Sequence, residues 1–190
     1  RGFLAFVADN GLIFQPTPVR AKPLLERLPD ASPPGPPLTW WPTWAGIANS
    51  GDLGFTTGPA SIPVRYFTVW QKQPDGRWKW IYDGGPALKA PMKAEPGGAV
   101  AFLKPATAAA GSPARALAEV APLEADVAAR AAEDYKAAHL EYLAEDGLTA
   151  GSTEPSGIGR AAQLAELDRR PAKGAITPPG GTASGAGDMA

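Results

Sequence analysis

Hydrophobic and polar positions alternate most cleanly over residues 77–83, RWKWIYD. Trp78, Trp80 and Tyr82 fall on one face of such a segment, and Lys79, Ile81 and Asp83 on the other. Residues 64–73, VRYFTVWQKQ, are rich in the β-branched and aromatic side chains that suit a pleated surface. Pro74-Asp75-Gly76 lies between the two runs. Proline presets φ for the first turn position and glycine accepts positive φ, so the pattern predicts an antiparallel hairpin. Pairing Gln73 with Arg77 sets Trp70 opposite Trp80 and Thr68 opposite Tyr82. Tyr66, Trp70, Trp78, Trp80 and Tyr82 then share one face, with Asp83 on the other.

Two further strand-like runs precede the hairpin, residues 39–48 and 53–57, separated by Ser50-Gly51-Asp52. Pro42 confines the first to a sheet edge or a bulge. The expected core is a twisted four-stranded meander. Ahead of it, residues 2–8 read as a helix stopped by Asp9-Asn10-Gly11, residues 12–14 as a short strand, and residues 20–28 as a helix with Pro23 in its first turn. Residues 29–37 read as a loop. After the meander, residues 86–98 are linker-like. Residues 113–117 and 123–144 carry helical spacing through Leu123, Val127, Ala131, Tyr135, His139 and Tyr142, predicting one or two helices. Residues 159–169 form another short helical pattern. The tail from residue 171 is Gly/Pro/Ser/Thr-rich and, on composition alone, loosely attached.

The end of the chain repeats its beginning. Residues 3–12, FLAFVADNGL, align with 139–148, HLEYLAEDGL. Arg20, Ala21 and Leu24 match Arg160, Ala161 and Leu164. Residues 50–54, SGDLG, match 186–190, AGDMA, at the first offset again. The domain plan that follows is a first unit over residues 1–85 without its leading helix, a linker over 86–112, and a truncated second copy over 113–190. The helices of that second copy are expected to cover the first copy's sheet.

Composition narrows the chemistry. The 190 residues carry a formal net charge of -1, which gives no electrostatic footprint for nucleic acid. Without cysteine there is no disulfide, thiolate nucleophile or cysteine-held zinc, and the single histidine, His139, cannot build a His-rich metal site. No metal or other cofactor is expected. No apolar run is long enough for a membrane span. There is no phosphate-binding glycine loop and no nucleophile elbow.

Helix, Asp-Asn-Gly-Leu, Pro-Val-Arg-Ala, WAGIANSGDLGFTTG, YFTVW and DGRWKWIYD together resemble the nuclear transport factor 2-like superfamily. The nearest branch is the SnoaL-like and ketosteroid-isomerase-like bacterial proteins, which include domains of unknown function. The resemblance covers about residues 2–85, and again 123–190 as the truncated copy. It implies an α+β fold, a cone-shaped curved antiparallel sheet packed on helices with a pocket at the open end. Enzymes of this kind use a pocket carboxylate as base and hydroxyl donors to hold an enolate.

Asp83 has two readings: a pocket carboxylate raised by burial and suited to proton abstraction, or a solvated acid at a strand end. Trp44, Trp70, Trp78 and Trp80 could line a pocket for a flat apolar or aromatic molecule, or simply form core. Arg20 is a candidate for an anionic group on the ligand, or a structural partner. Asp52 and Asp188 recur and fit a structural turn role. Three function classes remain open: binding of a small apolar molecule; an isomerase, cyclase or dehydratase with Asp83 as base and Tyr66 or Tyr82 as hydroxyl donors; and a module that dimerises through its outer sheet face.

Overall fold

A computed structural model describes residues 2–14, 17–29, 35–88, 97–103, 111–149, 158–177 and 180–190. Most of the expected loop at 29–37 and much of the expected linker at 86–112 lie outside these residues. The fold is α+β. Its elements begin with α1 (Gly2–Phe6), β1 (Val7–Phe14), β2 (Pro18–Arg20) and α2 (Ala21–Arg27). The meander follows as β3 (Trp44–Ile47), β4 (Leu53–Pro59), β5 (Arg65–Lys72) and β6 (Trp78–Gly84). Then come β7 (Ala101–Leu103), α3 (Pro113–Ala131), α4 (Tyr135–Tyr142) and α5 (Arg160–Leu167).

Seven strands form one sheet in the order β2-β1-β6-β5-β4-β3-β7. The meander β3 to β6 is antiparallel as expected, whereas β1 joins β6 and β7 joins β3 in parallel. The strand β7 comes from within the stretch that reads as linker. The β5–β6 turn follows its residues closely. Gln73 N–H donates to Arg77 O at 2.8 Å, and Gly76 closes the turn at φ +81°.

At the start of the chain, strand wins over helix two residues earlier than the pattern predicts. Val7, a β-branched residue, opens β1 and pairs with Trp80; the register then breaks before Leu12 meets Tyr82, and Asp9-Asn10-Gly11 sits in that break. Gly11 is there for room, because a Cβ on it would lie 2.6 Å from the Val7 side chain and 3.3 Å from the Trp80 ring.

The sheet separates two apolar clusters. Val7, Ala21 and Trp80 pack with Phe3, Leu4, Ile13, Leu25 and Trp70 under α1 and α2. Ala8, Ala48, Leu53 and Ile81 pack with Val69 and Met189. The helices read as a cover for the sheet, here α3 and α4, pack instead on each other, and α4 also meets α5. Ser112 caps α3 by accepting from Arg115 N–H, and Asp134 caps α4 by accepting from Ala137 N–H. The end of the chain is not loose. It runs back along α3 and α4, with Tyr135 N–H donating to Ala172 O and Gly174 N–H to Ala131 O, and ends in a turn whose Ser184 is fully buried.

Candidate functional site

The site is set by one irregularity. From the turn inward, β5 and β6 pair as the sequence predicts: Lys72 with Trp78, Gln71 with Lys79, Trp70 with Trp80. The register then shifts, so that Val69 meets Tyr82 and Thr68 meets Asp83. Ile81 is the extra residue of a β-bulge. It stays with Val69 in the outer cluster. Past the bulge every side chain of β6 lies on the face opposite to the one that alternation assigns.

Asp83 therefore shares a face with Trp80, which corrects the expectation that it lies opposite. Tyr82 moves the other way. Its ring packs on the outer side against Phe14 and Phe67, with centroids 5.9 and 6.3 Å away. It does not line the cavity. Trp44 also faces outward: it pairs with Thr57, which pairs with Phe67, and directly opposed residues of antiparallel strands share a face. Trp78 is half-buried near the hairpin turn, away from the cavity. Arg20 is exposed, and its Nη1 donates to Asn10 O at 2.6 Å. Of the residues singled out by sequence, the structure brings together Tyr66, Trp70, Trp80 and Asp83.

These four line a cavity of about 380 Å³ between the inner face of the sheet and α1. Alternation along β5 points Tyr66, Thr68 and Trp70 into it. Phe3 stands between Trp40 and Trp80, stacked on the first at 5.4 Å and edge-on to the second at 6.5 Å. The Trp80 indole N–H donates to Phe3 O at 3.2 Å, which ties α1 to the sheet. Phe6, Leu38, Trp40 and Ile62 are all exposed and form an apolar rim.

Polar groups inside are few and connected. Buried Thr68 donates its hydroxyl to Asp83 Oδ1 at 2.5 Å. The Trp70 indole N–H donates to Thr56 Oγ1 at 3.0 Å, and the Thr56 hydroxyl also bonds with the Tyr66 hydroxyl. Thr56, Thr68 and Asp83 form one cross-strand row on β4, β5 and β6. Burial raises the Asp83 carboxyl above the ordinary range, and the Thr68 hydroxyl partly opposes that. Burial likewise raises the Tyr66 phenol; the Thr56 bond opposes it, and the nearby Asp83 charge adds to it. Chemically, this is an apolar-lined cavity with one proton acceptor of raised basicity and one phenol. Neither Thr56 nor Thr68 is singled out as a site residue by the sequence reading. Their signal was available, since each sits on the inner face of its strand.

Among the described residues no group of three or more His, Cys, Asp or Glu side chains could hold a metal ion. No helix among them is long and apolar enough to cross a membrane. No protein-family model matches the chain, and no curated protein matches it. Among solved structures, a candidate ketosteroid isomerase from Parabacteroides distasonis ATCC 8503 is similar. The identity is 16% and the TM-score 0.35, over 46% of this chain and 74% of that one. At that level the likeness carries no argument about activity.

Proposed function

We propose that the chamber binds a small, flat, apolar or aromatic molecule. The observation that carries this is a cavity of about 380 Å³ walled by Trp70 and Trp80, with a single carboxylate and a phenol among its lining residues. Small-molecule sites commonly span about 300–1,000 Å³ and combine an apolar lining with a few polar groups that orient the ligand. The test is a thermal melt and tryptophan-fluorescence titration with a neutral bicyclic phenol, 2-naphthol. Saturable quenching with a raised Tm, both lost in Trp70→Ala, is the expected result, because a ligand that binds only the folded state stabilises it. Unchanged Tm and unsaturable quenching across neutral, cationic and anionic naphthalenes would refute the proposal.

A second reading is favoured by the bulge. It aims Asp83 into the same chamber as Tyr66, on a carboxyl made more basic by burial. That pair could remove a proton α to a ligand carbonyl and hold the resulting enolate, as an isomerase, cyclase or dehydratase requires. Tyr66, not Tyr82, would be the hydroxyl donor. Deuterium uptake α to the carbonyl of a bound cyclic ketone, followed by NMR and abolished in Asp83→Asn while binding persists, is its signature. Binding with no uptake leaves the chamber a binding site alone.

We further read the chain as a tandem of nuclear transport factor 2-like units. Supporting this, Gly51 and Gly187 occupy equivalent turns at φ +65° and +67°. In the same sense, α4 and α5 follow the order of α1 and α2, with Leu148 and Ile158 bridged between them as β1 and β2 are paired.

A further inference from the structure

The turn at residues 48–53 and the turn at residues 184–189 are built alike. In the first, Ala48 N–H donates to Leu53 O and Gly51 N–H to Ala48 O, both at 2.9 Å. In the second, Ser184 N–H donates to Met189 O at 2.8 Å and Gly187 N–H to Ser184 O at 2.9 Å. The two turns touch, and their contact is reciprocal. Asn49 N–H donates to Asp188 Oδ2 at 2.8 Å, and Gly185 N–H donates to Asp52 Oδ2 at 2.8 Å. Each turn gives its second amide to the other's fifth-position carboxylate, as a two-fold axis between equivalent turns demands.

We propose that the 48–53 turn is a self-recognition element whose partner is a second copy of itself, supplied in this chain by residues 184–189. The proposal rests on the tandem reading above. Each carboxylate is oriented for the task by a hydroxyl from its own turn. Ser50 Oγ donates to Asp52 Oδ1 at 2.5 Å, and Ser184 Oγ donates to Asp188 Oδ1 at 2.8 Å. The Ser50 hydroxyl holds the Asp52 carboxyl below the ordinary range, and the Asn49 amide, then the Ser184 hydroxyl, do the same for Asp188, so both are charged acceptors at neutral pH. Charged acceptors make the stronger amide bonds. The sixth residues meet as well: Leu53 and Met189 enter one apolar cluster with Ala8, Ala48 and Ile81. One bond lacks its mirror. Ala186 N–H donates to Ser50 Oγ at 3.1 Å, but position 186, the counterpart of Ser50, is alanine and offers no hydroxyl in return.

The test uses the full chain and amide hydrogen exchange read by NMR. Asp188→Asn should speed exchange at the Asn49 amide, and Asp52→Asn at the Gly185 amide, each by about tenfold, because each removes a charged acceptor that sits in the opposite turn. A triple variant, Ser184→Ala, Ala186→Ser and Met189→Leu, moves the orienting hydroxyl to the place it holds in the first turn. It should keep both amides protected and leave Tm within about 4 °C, a change of about 1–2 kcal/mol for a chain of this size. If the triple variant holds and the two aspartate variants leave the opposite amides unchanged, self-recognition is overturned and the tandem reading survives. If the triple variant loses protection at both amides, the turns are not equivalent copies, and the tandem reading falls together with the proposal.

Discussion

Replacing Thr68 by valine removes one hydroxyl and should uncover the charge of Asp83. Thr68 is buried and donates to Asp83 Oδ1 at 2.5 Å, while burial raises the carboxyl it serves. A hydrogen bond to a charged group contributes about 1.5–3 kcal/mol and one between neutral groups about 0.5–1.5 kcal/mol. The sign follows from linkage. A carboxyl whose folded pKa lies above its unfolded value contributes stability that is present at acid pH and lost as pH rises through the folded pKa. Thr68 limits that loss by stabilising the charged form. Thr68→Val should therefore cost about 1.5–3 kcal/mol where Asp83 is charged and about half that where it is protonated. For a chain of this length each kcal/mol is worth about 2–4 °C in Tm. The expected drop is about 3–12 °C at pH 8 and distinctly smaller at pH 4. Melts of the parent, Thr68→Val, Asp83→Asn and the double variant, followed by circular dichroism across that range, complete the cycle. With asparagine at 83 the pH dependence of the Thr68→Val penalty should vanish. An equal drop at pH 4 and pH 8, or a pH-dependent drop that survives in the Asp83→Asn background, would refute the reasoning.

Gly11→Ala should destabilise by about 1–3 kcal/mol in a urea titration, because its Cβ would press on Val7 at 2.6 Å and on the Trp80 ring behind it. Trp44→Phe should leave 2-naphthol binding unchanged in the fluorescence titration, since the β3–β4 register turns Trp44 to the outer face; a lost or weakened signal would place Trp44 at the ligand after all.

The parts of the fold that rest on local rules were legible in the sequence. The Pro74-Asp75-Gly76 turn, the β5–β6 hairpin and the pairing of Trp70 with Trp80 need only turn chemistry and a period of two. The helix over residues 2–8 was read too long because its apolar run, Phe3 to Ala8, suits a helix and a buried strand equally. Tertiary pairing of Val7 with Trp80 decided the matter. The parallel pairings of β1 and of β7 were invisible for a similar reason, although residues 12–14 of β1 were read as a short strand. Each lies beside an edge strand of the meander, and β7 has only three residues to announce it. The tail misled through composition. Its Gly and Ser content, usually a sign of a linker, is what lets a tight turn form at 184–189 and bring amides against Asp52.

The chamber was half legible, and the half that failed shows how Asp83 reaches the cavity. Strict alternation put Tyr66, Trp70 and Trp80 together correctly, because all three lie on the turn side of the register shift or on β5 itself. It misassigned Tyr82 and Asp83, which lie beyond the shift at Ile81. No residue in Trp80-Ile81-Tyr82-Asp83 marks a bulge; glycine is absent, and a bulge with right-handed backbone needs none. The packing of Trp80 and Ile81 does not by itself require it. Trp80 is buried against Val7 and Ala21 on the inner side, and Ile81 against Ala8, Ala48 and Leu53 on the outer side. A regular strand would meet both demands and then carry Tyr82 inward and Asp83 outward. The bulge instead keeps the large Tyr82 ring with Phe14 and Phe67 and delivers the small carboxylate to the cavity, opposite Thr68. The exchange puts the one strongly polar side chain of that strand end where water is scarce. It destabilises the ionised fold, and it sets a carboxyl raised by burial among apolar lining residues.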